Sequence, residues 1–85
     1  MNKVIIYTMV GCPYCEKAKA LMTRRDVAFE EKLVEENNDV EWDRLYKLSG
    51  MKTMPQIFFG DKLIGGYSEL EVLDTNDKLN LLKHL

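Results

Sequence analysis

The sequence predicts an α/β domain: a four-stranded mixed sheet flanked by helices, in the order β-α-β-α-β-β-α. Three observations lead there. Segments rich in β-branched and aromatic residues alternate with segments whose apolar residues recur at helical spacing. Strands joined through helices imply right-handed crossovers and a parallel first pair. Gly60-Asp61, between "QIFF" and "KLIGG", is a tight hairpin signal that adds an antiparallel pair.

Residues 3 to 8, "KVIIYT", followed by Gly11, read as a buried strand. The period then changes. From Pro13 to about Arg25, Cys15, Ala18 and Met22 fall at helical spacing with Leu21 beside them, while Glu16, Lys17, Lys19 and Arg24 face away. Pro13 suits the first helical turn, where an N–H would go unpaired in any case. "VAFEEKLVE", 27 to 35, is the second strand, its alternation broken before Leu33. Asn37, Asn38 and Asp39 offer a turn and an N-cap for a helix through Trp42, Leu45 and Leu48 that Gly50 stops. After the hairpin a helical region runs from Ser68 to Leu85, interrupted around "DTND", where Asp74 or Thr75 caps a last turn carrying Leu79, Leu82 and Leu85. With no repeat, linker or low-complexity segment, residues 1–85 are expected to form a single domain.

Eighty-five residues, 46% of them hydrophobic, suffice for one small core without disulfides or metals. Twelve basic residues against 14 acidic ones give a net charge of -2, which leaves no basic footprint for nucleic acid or an anionic membrane. The opening "MNKVIIYTMV" lacks the length and cleavage site of a signal peptide, and no run approaches the roughly 18 to 20 apolar residues of a membrane span. A soluble cytoplasmic protein with no nucleic-acid or membrane partner is the expectation. In that compartment a cysteine pair is more often catalytic or metal-binding than structural.

Both cysteines lie in "VGCPYCEKAKALM", 10 to 22, at the junction of strand and helix. Cys12 falls at or just before the first turn, where unpaired N–H groups and the helix dipole stabilise negative charge and lower the thiol pKa. Cys15, one turn further in, is close enough to close a disulfide and is protected by burial. Cys12 therefore attacks and Cys15 resolves. Two thiolates do not complete a tetrahedral zinc site, and His84, the only histidine, lies far along the chain, so no metal is expected. A purely structural disulfide over so short a loop constrains the unfolded chain little. Redox chemistry remains, and C-x-x-C in a βα setting points to a thioredoxin-like fold.

"CPYC" at 12 to 15, "TMPQIF" at 53 to 58 and "IGGYSEL" at 64 to 70, in that order, resemble the dithiol glutaredoxins of the small bacterial kind. The resemblance covers essentially the whole chain. It implies a thioredoxin-like fold, a cis peptide bond before Pro55, and a surface that binds glutathione as reducing co-substrate, with no permanently bound cofactor. A cis X-Pro bond would leave the backbone of Met54 free to pair with an extended peptide. The matching positions for glutathione are Tyr14, Lys52, Thr53, Met54, Pro55, Gly66, Tyr67, Ser68 and Glu69. Lys52 would pair with one carboxylate of the ligand, and the amides of Ser68 and Glu69 at a helix start would receive the other. Gly65-Gly66 would allow close backbone approach.

The implied activity is glutathione-dependent reduction of protein disulfides and glutathionylated proteins by a monomer, with ribonucleotide reductase as one protein target. Two departures from the family pattern stand out. Met9 occupies a position where a cation often precedes the nucleophile, leaving Lys17 or Lys52 to substitute, and Glu69 stands where Asp is frequent. Two rival readings are a dimer sharing an iron-sulfur cluster through Cys12 and glutathione, against which Pro13 argues, and a thioredoxin-like donor reduced by a flavoprotein.

Overall fold

Strand β1 (Val4–Thr8) is central in the computed structural model, which describes residues 3–76, 78 and 79. On one side β2 (Glu30–Leu33) pairs with it in parallel, Ile6 opposite Glu31; on the other β3 (Gln56–Phe59) runs antiparallel, Ile6 opposite Ile57. β4 (Lys62–Gly65) adds antiparallel to β3, so the strand order is β2-β1-β3-β4. This is the expected mixed four-stranded sheet.

Alternation along β1 and β3 sorts the core into two layers. Val4, Ile6 and Ile57 pack with Ala18, Leu21 and Met22 of α1 (Pro13–Arg24), with Leu70 of α3 (Tyr67–Thr75), and with Leu79. Tyr7 and Phe58 point the other way and pack with Val34, Met54 and Leu45 of α2 (Asp39–Ser49). The helix ends follow the expected chemistry. Asn38 caps α2 by accepting from the Glu41 N–H at 3.2 Å, and Gly50, at φ +72, closes it in the left-handed conformation.

Three expectations need correction. The second strand is limited to Glu30–Leu33, because Val27 and Phe29 reach the core from irregular chain before it. Leu48, placed on the apolar face of its helix, is 59% exposed; Leu45 alone in that helix is fully buried. The third helix starts at Tyr67, one residue earlier than Ser68; it ends at Thr75, where the interruption around "DTND" was expected. The Asp74 carboxylate accepts from Arg25, with Nε at 2.8 Å from Oδ1, and most of the last turn that Asp74 or Thr75 was expected to cap lies outside the described residues. Leu79 is buried as expected, while Leu82, His84 and Leu85 lie outside the described residues.

A polar chain ties α1 to the sheet. The buried Thr8 hydroxyl donates to Glu31 Oε2 at 2.6 Å, and Lys19 Nζ lies 2.9 Å from the same oxygen. The hydroxyl and then the ammonium hold the Glu31 carboxyl below its ordinary range, and Glu31 with Glu16 holds Lys19 above its own. This fixes the helix whose first residues carry the cysteine pair.

Candidate active site

Cys12 is the N-cap of α1, with extended backbone at φ -102 and ψ 102, and Pro13 follows inside the first turn. The Cys15 N–H points at Cys12 Sγ from 3.2 Å, so a helix-start amide is aimed at this sulfur. The two sulfurs are joined as a disulfide, with Cα atoms 5.3 Å apart. The partners differ in access. Cys15 is completely buried among Tyr7, Val34, Leu45 and Met54, whereas Cys12 is only partly buried. Cys12 is thus the more accessible of the two sulfurs, and it sits at a helix start, where a thiolate is favoured.

Cys12 Sγ lies 3.7 Å from the carbonyl oxygen of Met54. That carbonyl belongs to the cis peptide bond Met54-Pro55, as the motif implied. Thr53, Met54 and Pro55 form one wall of a groove of about 600 Å³, and Gly66, Tyr67, Ser68 and Glu69 form the facing one. Tyr14 and Tyr67 approach across it, ring centroids 5.9 Å apart.

The second wall is held by Glu69. Its Oε1 accepts from the Gly66 N–H at 2.7 Å, the return half of a capping box, which glycine has no side chain to reciprocate; its Oε2 accepts from Ser68 Oγ at 3.2 Å. Of the neighbouring glycines, Gly65 is the one that sterics demand. Its φ is +124, and a Cβ there would stand 2.7 Å from Glu69 Cγ. A Cβ on Gly66 would meet Met51 Cε and the Pro55 carbonyl at 3.4 and 3.5 Å, ordinary contacts that fill the groove rather than break the chain.

The structure thus gathers Tyr14, Thr53, Met54, Pro55, Gly66, Tyr67, Ser68 and Glu69 around one groove, next to Cys12. Lys52 is not among them. Its ammonium lies over the Tyr46 ring, 5.0 Å from the centroid, beside Trp42 and Asp43, and Met51 lines the groove instead. Lys17, the other cation suggested for the position of Met9, stacks on Tyr14 at 4.9 Å and so stands at the rim. Met9 packs in the apolar cluster that holds the cysteines.

Met51 in the groove lining was missed, and so was a residue behind that wall, Gln56. Gln56 is fully buried. Its Nε2 donates to the carbonyls of Met51 and Thr53, each at 3.2 Å, and its Oε1 lies 2.8 Å from Ser49 Oγ. Carbonyls only accept, so the amide orientation is fixed by its partners. Gln56 fastens the segment that carries the Thr53–Pro55 wall to the sheet. The signal was its parity with Phe58 in "QIFF", which turns both side chains toward the same buried layer.

The comparisons agree with this geometry. The family model described as Glutaredoxin matches residues 4–64. Glutaredoxin 1 of Rickettsia prowazekii is 41% identical over 99% of this chain and 90% of its own length. The solution structure of a Brucella melitensis glutaredoxin superposes with a TM-score of 0.82 at 40% identity, covering 96% of this chain and 88% of that one. A buckwheat glutaredoxin crystallised as a glutathione complex gives a TM-score of 0.85 over 95% of this chain and 76% of that one, and at 24% identity it speaks for the fold alone. Sequence, fold and cysteine geometry together make this chain a member of the glutaredoxin family of thiol-disulfide oxidoreductases.

Proposed function

We propose that this protein uses glutathione to reduce protein disulfides and glutathione–protein mixed disulfides. The observation that carries the reading is the setting of Cys12: a partly exposed sulfur at a helix N-cap, 3.7 Å from the backbone of a groove wall, bonded to a fully buried Cys15. In the reduced protein, first-turn amides and the helix dipole favour the Cys12 thiolate, while burial keeps Cys15 a thiol. Cys12 attacks one sulfur of a substrate disulfide, forming a mixed disulfide and expelling the other sulfur as thiolate. Cys15 then attacks Cys12 Sγ, releasing the second substrate thiol and closing the Cys12–Cys15 disulfide. One glutathione thiolate opens it at Cys12, and a second removes the first as glutathione disulfide, so two electrons pass from two glutathiones to the substrate. A glutathionylated substrate needs only Cys12.

Glutathione suits the groove: an extended tripeptide can pair with the Met54 backbone while its flanks meet Tyr14, Tyr67, Thr53 and Pro55. Because the Glu69 carboxylate already takes the Gly66 N–H, the amides of Ser68 and Glu69 are left for a ligand carboxylate, and Glu69 itself faces the ligand ammonium. Lys52 would have to leave Tyr46 to contribute. Ribonucleotide reductase as a target, a monomeric state and a cytoplasmic location are proposed on resemblance and composition alone. A coupled assay with glutathione, glutathione reductase and NADPH on a glutathione mixed disulfide tests the reading. Steady NADPH consumption is expected; turnover only with a flavoprotein thioredoxin reductase would overturn it.

A further inference from the structure

A second cleft shares no lining residue with the groove and is walled by Met9, Val10, Leu33, Val34, Glu35 and Glu36. It adjoins the reactive centre. Val10 is separated from Cys12 only by Gly11, and Met9 belongs to the same apolar cluster as Cys12 and Met54. Its floor is the buried Val34, whose N–H donates to the Thr8 carbonyl at 2.7 Å and prolongs the β1–β2 pairing. Its lip is apolar and open, with Val10 80% and Leu33 58% exposed. Single exposed apolar side chains are ordinary, but two on one cleft beside a reactive sulfur make a contact surface.

The far side of this cleft is negative. Among the described residues, Glu16, Glu30, Glu31 and Glu41 each pair with a lysine or arginine, whereas the exposed Glu35 and Glu36 have neither an ion pair nor a side-chain hydrogen bond. No cation lines the cleft among those residues. The main chain beneath is fixed, since the Glu35 carbonyl accepts from Trp42 Nε1 and from the Asn38 N–H, both at 3.1 Å.

We propose that this cleft docks the chain flanking the disulfide of a protein substrate and selects flanks in which an apolar residue is followed by lysine or arginine. The inference rests on the reading that the protein reduces disulfides of other proteins. A partner that presents a sulfur to Cys12 must lay its neighbouring residues on adjacent surface. An apolar residue next to that sulfur covers Val10 and Leu33, and a basic residue beyond it meets the two unpartnered carboxylates. Exposed ion pairs are individually weak, so the selection is several-fold and sensitive to salt rather than absolute.

The test uses two disulfide-cyclised peptides with leucine beside one cysteine, followed by three lysines in one and three glutamates in the other. With glutathione as reductant, kcat/KM for the basic peptide should exceed that for the acidic one about fivefold at low salt, and the double variant Glu35→Lys/Glu36→Lys should reverse the order. Rates within about twofold in the native protein, or an order that survives the double variant, would overturn the proposal. Repeating the series with dithiothreitol as reductant separates the two readings. Loss of turnover only with glutathione contradicts the reductant assigned above, and equal peptide rates with either reductant contradict the docking cleft.

Discussion

The two walls of the groove are held by different chemistry. Beneath Thr53–Pro55 the fastening is Gln56, neutral, fully buried and bonded at every polar atom of its side chain. At the 66–69 wall it is Glu69, an exposed carboxylate folded back on the start of α3. The first wall cannot loosen without leaving the buried Gln56 amide unpaired, so it presents the Met54 backbone in a fixed position at any moderate pH. The second is held by a charge, so under the proposed function the binding of an ionic co-substrate and the cap of a helix would share one group.

Substitutions can break this comparison, beginning with the largest effect. Gln56→Leu removes the fully buried amide that pairs with the Met51 and Thr53 carbonyls and with Ser49 Oγ, and is expected to cost about 3 kcal/mol of stability in urea unfolding. It should also lower kcat/KM for glutathione far more than an equally destabilising Ile57→Ala, whose side chain lies in the other layer. Equal losses in the two variants would reduce Gln56 to ordinary core. Gly65→Ala forces a side chain into a left-handed backbone against Glu69 and should cost about 2 kcal/mol, read as a lower Tm. Glu69→Gln keeps an oxygen for the Gly66 N–H but removes the charge. Stability should change by less than about 1 kcal/mol, while KM for glutathione shifts severalfold with kcat nearly constant.

The smallest effect concerns the scaffold. Glu31 is held below its ordinary range in the folded protein, so its contribution is present above the unfolded pKa near 4.5 and is lost as pH falls through the lower, folded value. Urea unfolding from pH 7 down to pH 3 should show stability declining in the native protein, with a shallower decline in Glu31→Gln. Identical slopes would remove the Thr8–Glu31–Lys19 chain from the account.

Local pattern made most of the fold legible. The change of period after Thr8, the proline inside the first turn and the Gly60-Asp61 turn mark β1, α1 and the β3–β4 hairpin, whereas β2 proved shorter than its pattern. Cys12 at the N-cap was equally readable, because strand-end and helix-start signals flank it. What stayed hidden depended on contacts distant in the chain or across a helix turn. Lys52 matches its motif position, yet Tyr46 draws its ammonium away from the groove. Gln56 reads as a polar strand residue, and only the segment from Ser49 to Thr53 folded over it makes it buried and bonded. Leu33 and Val10, which the local pattern left unassigned, stand exposed at the second cleft.

The unequal burial of the two sulfurs is the centre of the account, and one variant tests it most directly. Cys15→Ser should lose reduction of protein disulfides, which needs a resolving thiol, yet keep deglutathionylation by Cys12 alone, measured with glutathione on a glutathionylated protein and on a protein disulfide. Equal loss of both activities in Cys15→Ser would contradict the division of labour between an outer attacking sulfur and a buried resolving one.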